Sequence, residues 1–264
     1  MIDNEFDSEI KYKLFRTVNE ILHPTISKKN ISDYTIIMEE DILPVRVFYP
    51  KKVTNIDKAI IYVHGNGEVT NCLGEYASIC KNFAVKTDCL VIAIEYMDIK
   101  DNYKKLVEEV KKCIEYLYDK LIINNILEEN IILMSDSTGC HITSLIKDIP
   151  VRKRVLFYPV LNTTYDKENM KNEDFNIGLI ERINKYFKDY NNSIINIDTL
   201  EDESTDKVLV LVGNVDMLID NIKKYIGDSK KIKCVDVPFS AHGFLKEMDK
   251  ELSNEVFTAL NKFI

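Results

Sequence analysis

Beyond residue 55 the chain alternates short, almost entirely apolar runs, such as Ala59-Ile60-Ile61-Tyr62-Val63 and Val208-Leu209-Val210-Leu211-Val212, with longer stretches whose apolar residues recur at helical spacing. A strand that is apolar at every position has both faces covered, and a parallel sheet flanked by helices is the arrangement that covers them. The pattern predicts strands at 59–63, 90–95, 130–134, 155–158, 208–212 and 233–237, with helices at 76–86, 103–120, 139–147, 217–226 and 246–263. The expected fold class is α/β, a mostly parallel central sheet flanked by helices.

Two regions depart from this rhythm. Ile10, Leu14, Phe15, Val18, Ile21 and Leu22 predict an amphipathic helix over 8–22, and the β-rich runs 34–38 and 42–49, divided by Glu39-Glu40-Asp41, read as an antiparallel pair. Forty-nine residues separate the strand ending at Tyr158 from the one starting at Val208, far more than an ordinary connection. Ile177, Ile180, Ile183, Tyr186 and Phe187 mark a helix within that interval, so an insertion over one end of the sheet is expected rather than a second core. With 264 residues, the whole of 1–264 is read as one domain.

Composition excludes several classes of partner. Forty-three acidic against 35 basic residues give a net charge of -8, which argues against a nucleic-acid partner. No apolar run approaches the roughly 18–20 residues of a membrane span. The acidic start, Met-Ile-Asp-Asn-Glu-Phe-Asp, lacks the positive charge of a secretory leader, so a cytoplasmic location is expected. Cys72, Cys80, Cys89, Cys113, Cys140 and Cys234 show no CxxC spacing and read as reduced packing residues, not as a metal cage or a disulfide framework. No metal and no cofactor is expected.

In an open parallel sheet, ligands gather outside the carboxyl ends of the strands. Three such ends carry chemistry-bearing residues: His64-Gly65-Asn66-Gly67, Ser135-Asp136-Ser137-Thr138-Gly139, and Ser240-Ala241-His242-Gly243-Phe244. Glycine is scarce, 8 residues or about 3% against a usual level near 7%, so those at strand ends are informative. Four His and 8 Gly give about 0.1 His-Gly pairs by chance, yet two occur, each at a predicted strand end.

Ser137 sits where a strand turns sharply into a helix, a geometry that lifts a hydroxyl clear of the backbone. A serine hydroxyl is a poor nucleophile without a base and a group that orients the base. His242 after the last strand and Asp216 after the preceding one meet that need, and the order Ser137, Asp216, His242 suits the arrangement. Asp220, one helical turn beyond Asp216, is the alternative acid. The His64-to-Gly67 loop and the Thr138 N–H offer backbone donors for an oxyanion, with His64 read as a structural support of that loop.

Together these segments resemble the hormone-sensitive-lipase-like family of α/β-hydrolase esterases, whose HGGG loop, GDSAGG elbow, D-x-L-x-D segment and HGF appear here as HGNG, SDSTGC, Asp216-Met217-Leu218-Ile219-Asp220 and His242-Gly243-Phe244. Glu95-Tyr96 is similar to the family's Asp-Tyr, and Phe157-Tyr158-Pro159-Val160-Leu161 to its IYPVL stretch. The resemblance runs from about Ala59 to Phe263. It implies Ser137 as nucleophile, His242 as general base and acid, Asp216 as orienting carboxylate, and the N–H groups of Asn66, Gly67 and Thr138 as oxyanion donors, with Gly65 and His64 supporting the loop. It also implies a helical cap from segments of about 1–30 and 161–205. Departures from the family pattern are Ser135 for the first Gly of the elbow, Cys140-His141 for its Gly-Asn, and Asn66 for the middle Gly of the loop; the Pro-rich stretch usual after the Asp-Tyr is missing beyond Tyr96.

The expected function is hydrolysis of short-chain carboxylic esters through an acyl-enzyme, the partner being a small-molecule ester. An amidase, arylformamidase or peptidase would use the same triad. A non-catalytic small-molecule binder on the same fold is the reading from a different class. The sequence leaves open whether the chain is a monomer or a homodimer.

Overall fold

Alternation along each central strand sorts its side chains onto two separate cores. In the computed structural model, which describes residues 35–39, 42–51, 56–65, 73–96, 102–147, 149–162, 181, 183–185, 187–188 and 207–264, Ala59, Ile61 and Val63 enter one core while Ile60 and Tyr62 enter the other. The period of two residues in an extended chain produces this split.

Among the described residues the strands are β1 (Thr35–Glu39), β2 (Ile42–Phe48), β3 (Ala59–Val63), β4 (Leu90–Ile94), β5 (Ile131–Asp136), β6 (Lys153–Phe157), β7 (Lys207–Gly213) and β8 (Ile232–Val237), in the order β1-β2-β4-β3-β5-β6-β7-β8. From β4 to β8 every neighbouring pair is parallel. The first two strands form the expected antiparallel pair, and β2 joins the sheet antiparallel to β4.

Among the described residues, the faces are covered by α1 (Leu73–Thr87), α2 (Tyr103–Ile123), α3 (Ser137–Leu145), α4 (Ile219–Ile226) and α5 (Lys250–Phe263). On one face α2, α3 and α4 contribute Leu106, Val110, Cys140, Ile142 and Ile222 to the core. On the other, α1 and α5 contribute Ile79, Phe83, Val256, Phe257 and Leu260. In α2 the side chain of Asn102 accepts from the Lys105 N–H at the start, and the buried residues Leu106, Val110, Cys113, Ile114, Leu117 and Leu121 follow the helical period. The far end of α3 is held by Arg154, buried on β6, whose guanidinium donates to the carbonyls of Thr143 at 2.9 Å and Ile146 at 3.1 Å. A cation there complements the negative end of the helix dipole.

Several boundaries shift by one to four residues from the sequence reading, and three of the shifts have a local cause or bear on the site. The helix expected at 246–263 starts four residues later, as α5, because the Asp249 carboxylate accepts from the Leu252 N–H at 2.8 Å and caps the helix there; Lys246 instead ends a 3-10 turn, Phe244–Lys246. The helix expected at 139–147 begins two residues earlier, so Ser137 lies in its first turn. The strand expected to end at Met134 continues to Asp136, since Ser135 and Asp136 still pair with Leu156 and Phe157 of β6. The predicted helix 8–22 and most of the segments 1–30 and 161–205 lie outside the described residues. Of the insertion, Ile183 and Phe187 are helical and buried. Among the described residues no helix is long and apolar enough to cross a membrane, and Cys80, Cys89, Cys113, Cys140 and Cys234 are free thiols, all but Cys234 buried.

Candidate active site

Three chain turns at the carboxyl edge of β5, β7 and β8 bring Ser137, Asp216 and His242 together. The first is the turn after β5, a strand buried along its whole length between two parallel neighbours. Asp136 is the last extended residue, and Ser137 follows with φ +47°, a left-handed backbone that reverses the chain direction within one residue. A non-glycine residue held there is strained and persists only where the surroundings enforce it. The enforcing contacts here are the flanking strands, α3 beyond, and a hydrogen bond from the Val160 N–H to the Ser137 carbonyl at 3.1 Å. Ser135, which the family pattern would make a glycine, is buried with its hydroxyl 2.9 Å from that of Thr143 and 3.4 Å from the Cys140 sulfur.

The second turn follows β7. The Asp216 N–H donates to the Gly213 carbonyl at 3.0 Å, closing a tight turn that leads into α4. One carboxylate oxygen, Oδ1, accepts from the Leu218 N–H at 2.9 Å, which leaves Oδ2 directed at His242. The third turn, after β8, bends at Phe239 with φ +51° and is tied to the second by hydrogen bonds from Asn214 N–H to Val237 carbonyl and from Val215 N–H to Ser240 carbonyl.

His242 stands between the other two side chains. Its Nδ1 is 3.1 Å from Asp216 Oδ2, and its Nε2 is 2.9 Å from Ser137 Oγ. The carboxylate side chain is wholly buried and the imidazole 7% exposed. An acceptor-only carboxylate at Nδ1 selects the tautomer with the proton on that nitrogen, leaving Nε2 as the acceptor for a serine hydroxyl. The Tyr158 ring packs against the imidazole, tilted by 59° with the ring centroids 4.9 Å apart. Asp220, the alternative acid, lies exposed on α4.

The remaining sequence candidates divide. Thr138 is buried in the first turn of α3. Gly65 donates its N–H to Asp136 Oδ1 at 2.8 Å. His64 is buried, with its ring stacked 4.5 Å from Tyr96 and lying 5.1 Å from Tyr76, and its carbonyl accepts from the Tyr96 hydroxyl. Those contacts suit a loop support. Asn66 and Gly67 lie outside the described residues. His141, one turn along α3 from Ser137, is engaged elsewhere: its Nδ1 is 2.6 Å from the Tyr103 hydroxyl, its ring rests 4.8 Å from Phe187, and burial lowers its pKa to about 3. Among the described residues no group of three or more His, Cys, Asp and Glu could hold a metal ion.

Sequence reasoning passed over Asp136. It accepts hydrogen bonds from Tyr62, Gly65, Tyr76 and Tyr158. The signal was present as a carboxylate closing an otherwise apolar strand, Ile131-Ile132-Leu133-Met134, where an unpartnered charge would be costly.

A family model described as alpha/beta hydrolase fold matches residues 60–246. The chain is 23% identical over 149 residues to arylacetamide deacetylase-like 4 family member 1 of Mus musculus and over 150 residues to arylacetamide deacetylase-like 4 of Homo sapiens. Each match covers 53% of this chain and spans only 37% of the relative's length. Among solved structures the chain is similar to the Francisella virulence factor BioJ, with TM-score 0.70 and 19% identity over 99% of this chain and 96% of that one. It is also similar to a thermostable carboxylesterase cloned from a metagenomic library, with TM-score 0.69 and 18% identity over 97% and 96% of the two chains. A hyperthermophilic esterase from the archaeon Pyrobaculum calidifontis gives TM-score 0.67 and 15% identity over 99% and 94%. At such identities the likeness is one of fold.

Proposed function

The chain belongs to the family of the alpha/beta hydrolase fold, and on that premise we propose that it is a serine hydrolase cleaving short-chain carboxylic esters. The observation that carries the reading is the continuous contact from Ser137 Oγ through His242 to Asp216, at 2.9 and 3.1 Å, on three separate turns. Neutral His242 takes the Ser137 proton on Nε2 as Oγ attacks the ester carbonyl, and Asp216 stabilises the imidazolium that forms. Charge builds on the former carbonyl oxygen, for which the N–H groups of Asn66, Gly67 and Thr138 are the proposed donors. His242 returns the proton to the leaving alcohol. It then activates the water that releases the acid from Ser137.

In this reading 1–264 is one catalytic domain, with cap elements from about 1–30 and 161–205. A second substrate class, N-acyl arylamines, is favoured by the names of the curated relatives, which are arylacetamide deacetylase-like proteins. The same three side chains would serve, with an amine replacing the alcohol as the group that His242 protonates.

A panel of p-nitrophenyl acetate, butyrate and decanoate, with a p-nitroacetanilide alongside, tests the proposal. The two short esters are expected to turn over fastest, and Ser137→Ala to lose at least about 10³-fold in kcat. Hydrolysis no faster than in Ser137→Ala would overturn the hydrolase reading. Decanoate outpacing acetate and butyrate would overturn the short-chain assignment, and a faster anilide would move the substrate class to amides.

A further inference from the structure

The carboxyl group immediately before Ser137 gathers more donors than any other described side chain at the site. Asp136 is buried. Its Oδ1 accepts from the Tyr62 hydroxyl at 2.6 Å and from the Gly65 N–H at 2.8 Å. Its Oδ2 accepts from the Tyr76 hydroxyl at 3.0 Å, with the Tyr158 hydroxyl at 3.4 Å. These donors come from β3, from the residue two beyond its end, from α1, and from the residue after β6. A buried acceptor of this kind is stabilised only while its hydrogen bonds are kept, and in low dielectric each bond is stiff.

Among these donors Gly65 differs from the tyrosines in being main chain. It directly precedes Asn66 and Gly67, and a Cβ placed on it would stand 2.8 Å from Ser137 Cβ and 3.0 Å from the Asp136 carbonyl and Oδ2. The chain entering the HGNG segment is therefore pressed against the elbow and tied to it by one side-chain hydrogen bond. Burial and the neighbouring carboxylate push the Tyr62 and Tyr158 hydroxyls well above the ordinary tyrosine range. Both stay protonated and remain donors across the working pH range.

We propose that Asp136 is a positioning residue for the ester hydrolysis proposed above: by accepting from the Gly65 N–H it holds Gly65, which directly precedes the proposed donors Asn66 and Gly67, against Ser137, while the three tyrosines hold the carboxylate still. The inference rests on the hydrolase reading. Because Asp136 touches neither substrate nor His242, its effect falls on the geometry of the donors at the moment charge develops, and so on kcat more than on KM. Preorganised donors lose most of their value when displaced by a fraction of an ångström.

Asp136→Asn preserves the volume but turns one of the two acceptor oxygens into a donor facing other donors. Two quantities are read on the folded variant: kcat and KM for p-nitrophenyl butyrate, and amide hydrogen exchange at Gly65. The expected result is a kcat lowered at least about tenfold, a KM within about threefold, and Gly65 exchange accelerated at least about tenfold. A folded variant in which either kcat or Gly65 exchange matches wild type overturns the proposal. If Asp136→Asn does not fold, Tyr62→Phe carries the same two readouts. Tyr62 shares Oδ1 with Gly65, so its loss is expected to lower kcat and speed exchange about threefold or more, and no change in either overturns the proposal. A wild type that hydrolyses no ester would instead remove the hydrolase reading, and exchange at Gly65 tells the two failures apart because it reports the anchor without turnover.

Discussion

The Ser240 carbonyl occupies the space where a Cβ on Gly213 would stand. Gly213 ends β7, three residues before Asp216, and Ser240 lies two residues before His242. This one close approach lets the turn bearing the acid lie flat against the turn bearing the base, an arrangement completed by the Val215 N–H donating to the same Ser240 carbonyl. Gly213→Ala is expected to push the two turns apart, lowering stability by about 1–3 kcal/mol through overpacking and kcat by at least about tenfold through misplacement of His242. Urea denaturation and ester kinetics on the one variant check both. Wild-type kcat in Gly213→Ala would show that the turns need no such contact.

In the proposed mechanism Asp216, 3.1 Å from His242 Nδ1, selects the imidazole tautomer and stabilises its charged form. Asp216→Asn keeps the shape of the site but presents Nδ1 with a group that can donate, and kcat for p-nitrophenyl butyrate is expected to fall about 10⁴-fold, the magnitude found for the corresponding change in a serine protease triad. Asp220→Asn, on the exposed face of α4, is the comparison. A larger loss in Asp220→Asn than in Asp216→Asn would reassign the acid.

Phe239 combines a left-handed φ of +51° with a side chain 96% exposed. Strain of this kind costs about 1–3 kcal/mol at a non-glycine residue, and the ring recovers little of it by packing. Phe239→Gly removes the strain at some cost in unfolded-chain entropy, so a net gain near 1 kcal/mol is expected, seen as a melting temperature raised by about 2–4 °C. A lowered melting temperature would mean that the exposed ring contributes to the fold.

His141 carries a pH dependence of stability. Burial lowers its pKa from 6.5 to about 3, so below pH 6.5 the unfolded chain takes up a proton that the folded chain refuses. Stability is therefore lost as pH falls from about 6.5 toward 3, by about 2 kcal/mol between pH 7 and pH 5 from this residue alone. Urea titrations of wild type and His141→Gln at the two pH values measure it: the loss on acidification should shrink by roughly that amount in the variant. An equal loss in both would place the acid sensitivity elsewhere.

Apolar patterning located the central strands to within a residue or two because burial on both faces leaves no polar position to blur the edges, as at 59–63 and 208–212. The ends were less legible. Ser135-Asp136 looked like the start of a turn because both are polar, yet both remain on β5, since Ser135 finds Thr143 and Asp136 finds three tyrosines and an N–H. Those partners are distant in sequence, the nearest tyrosine lying 22 positions away, and no local pattern announces them. At the candidate site, the motifs around Ser137 and His242 and the strand-end position of Asp216 pointed to three side chains that do meet, while Asp220, the alternative acid, faces water on α4. The late start of the C-terminal helix was hidden for a related reason: within the expected range 246–263 Asp249 sits as one more helix position, whereas its carboxylate caps the Leu252 N–H.

The central claim is that His242 and Asp216 make the Ser137 hydroxyl nucleophilic. Treating the folded protein with a fluorophosphonate probe and locating the adduct by mass spectrometry tests it most directly. The account predicts a single adduct on Ser137, absent from Ser137→Ala and slowed by at least about 10³-fold in His242→Ala. Folded wild type that takes no label, or takes it on another residue, would contradict it.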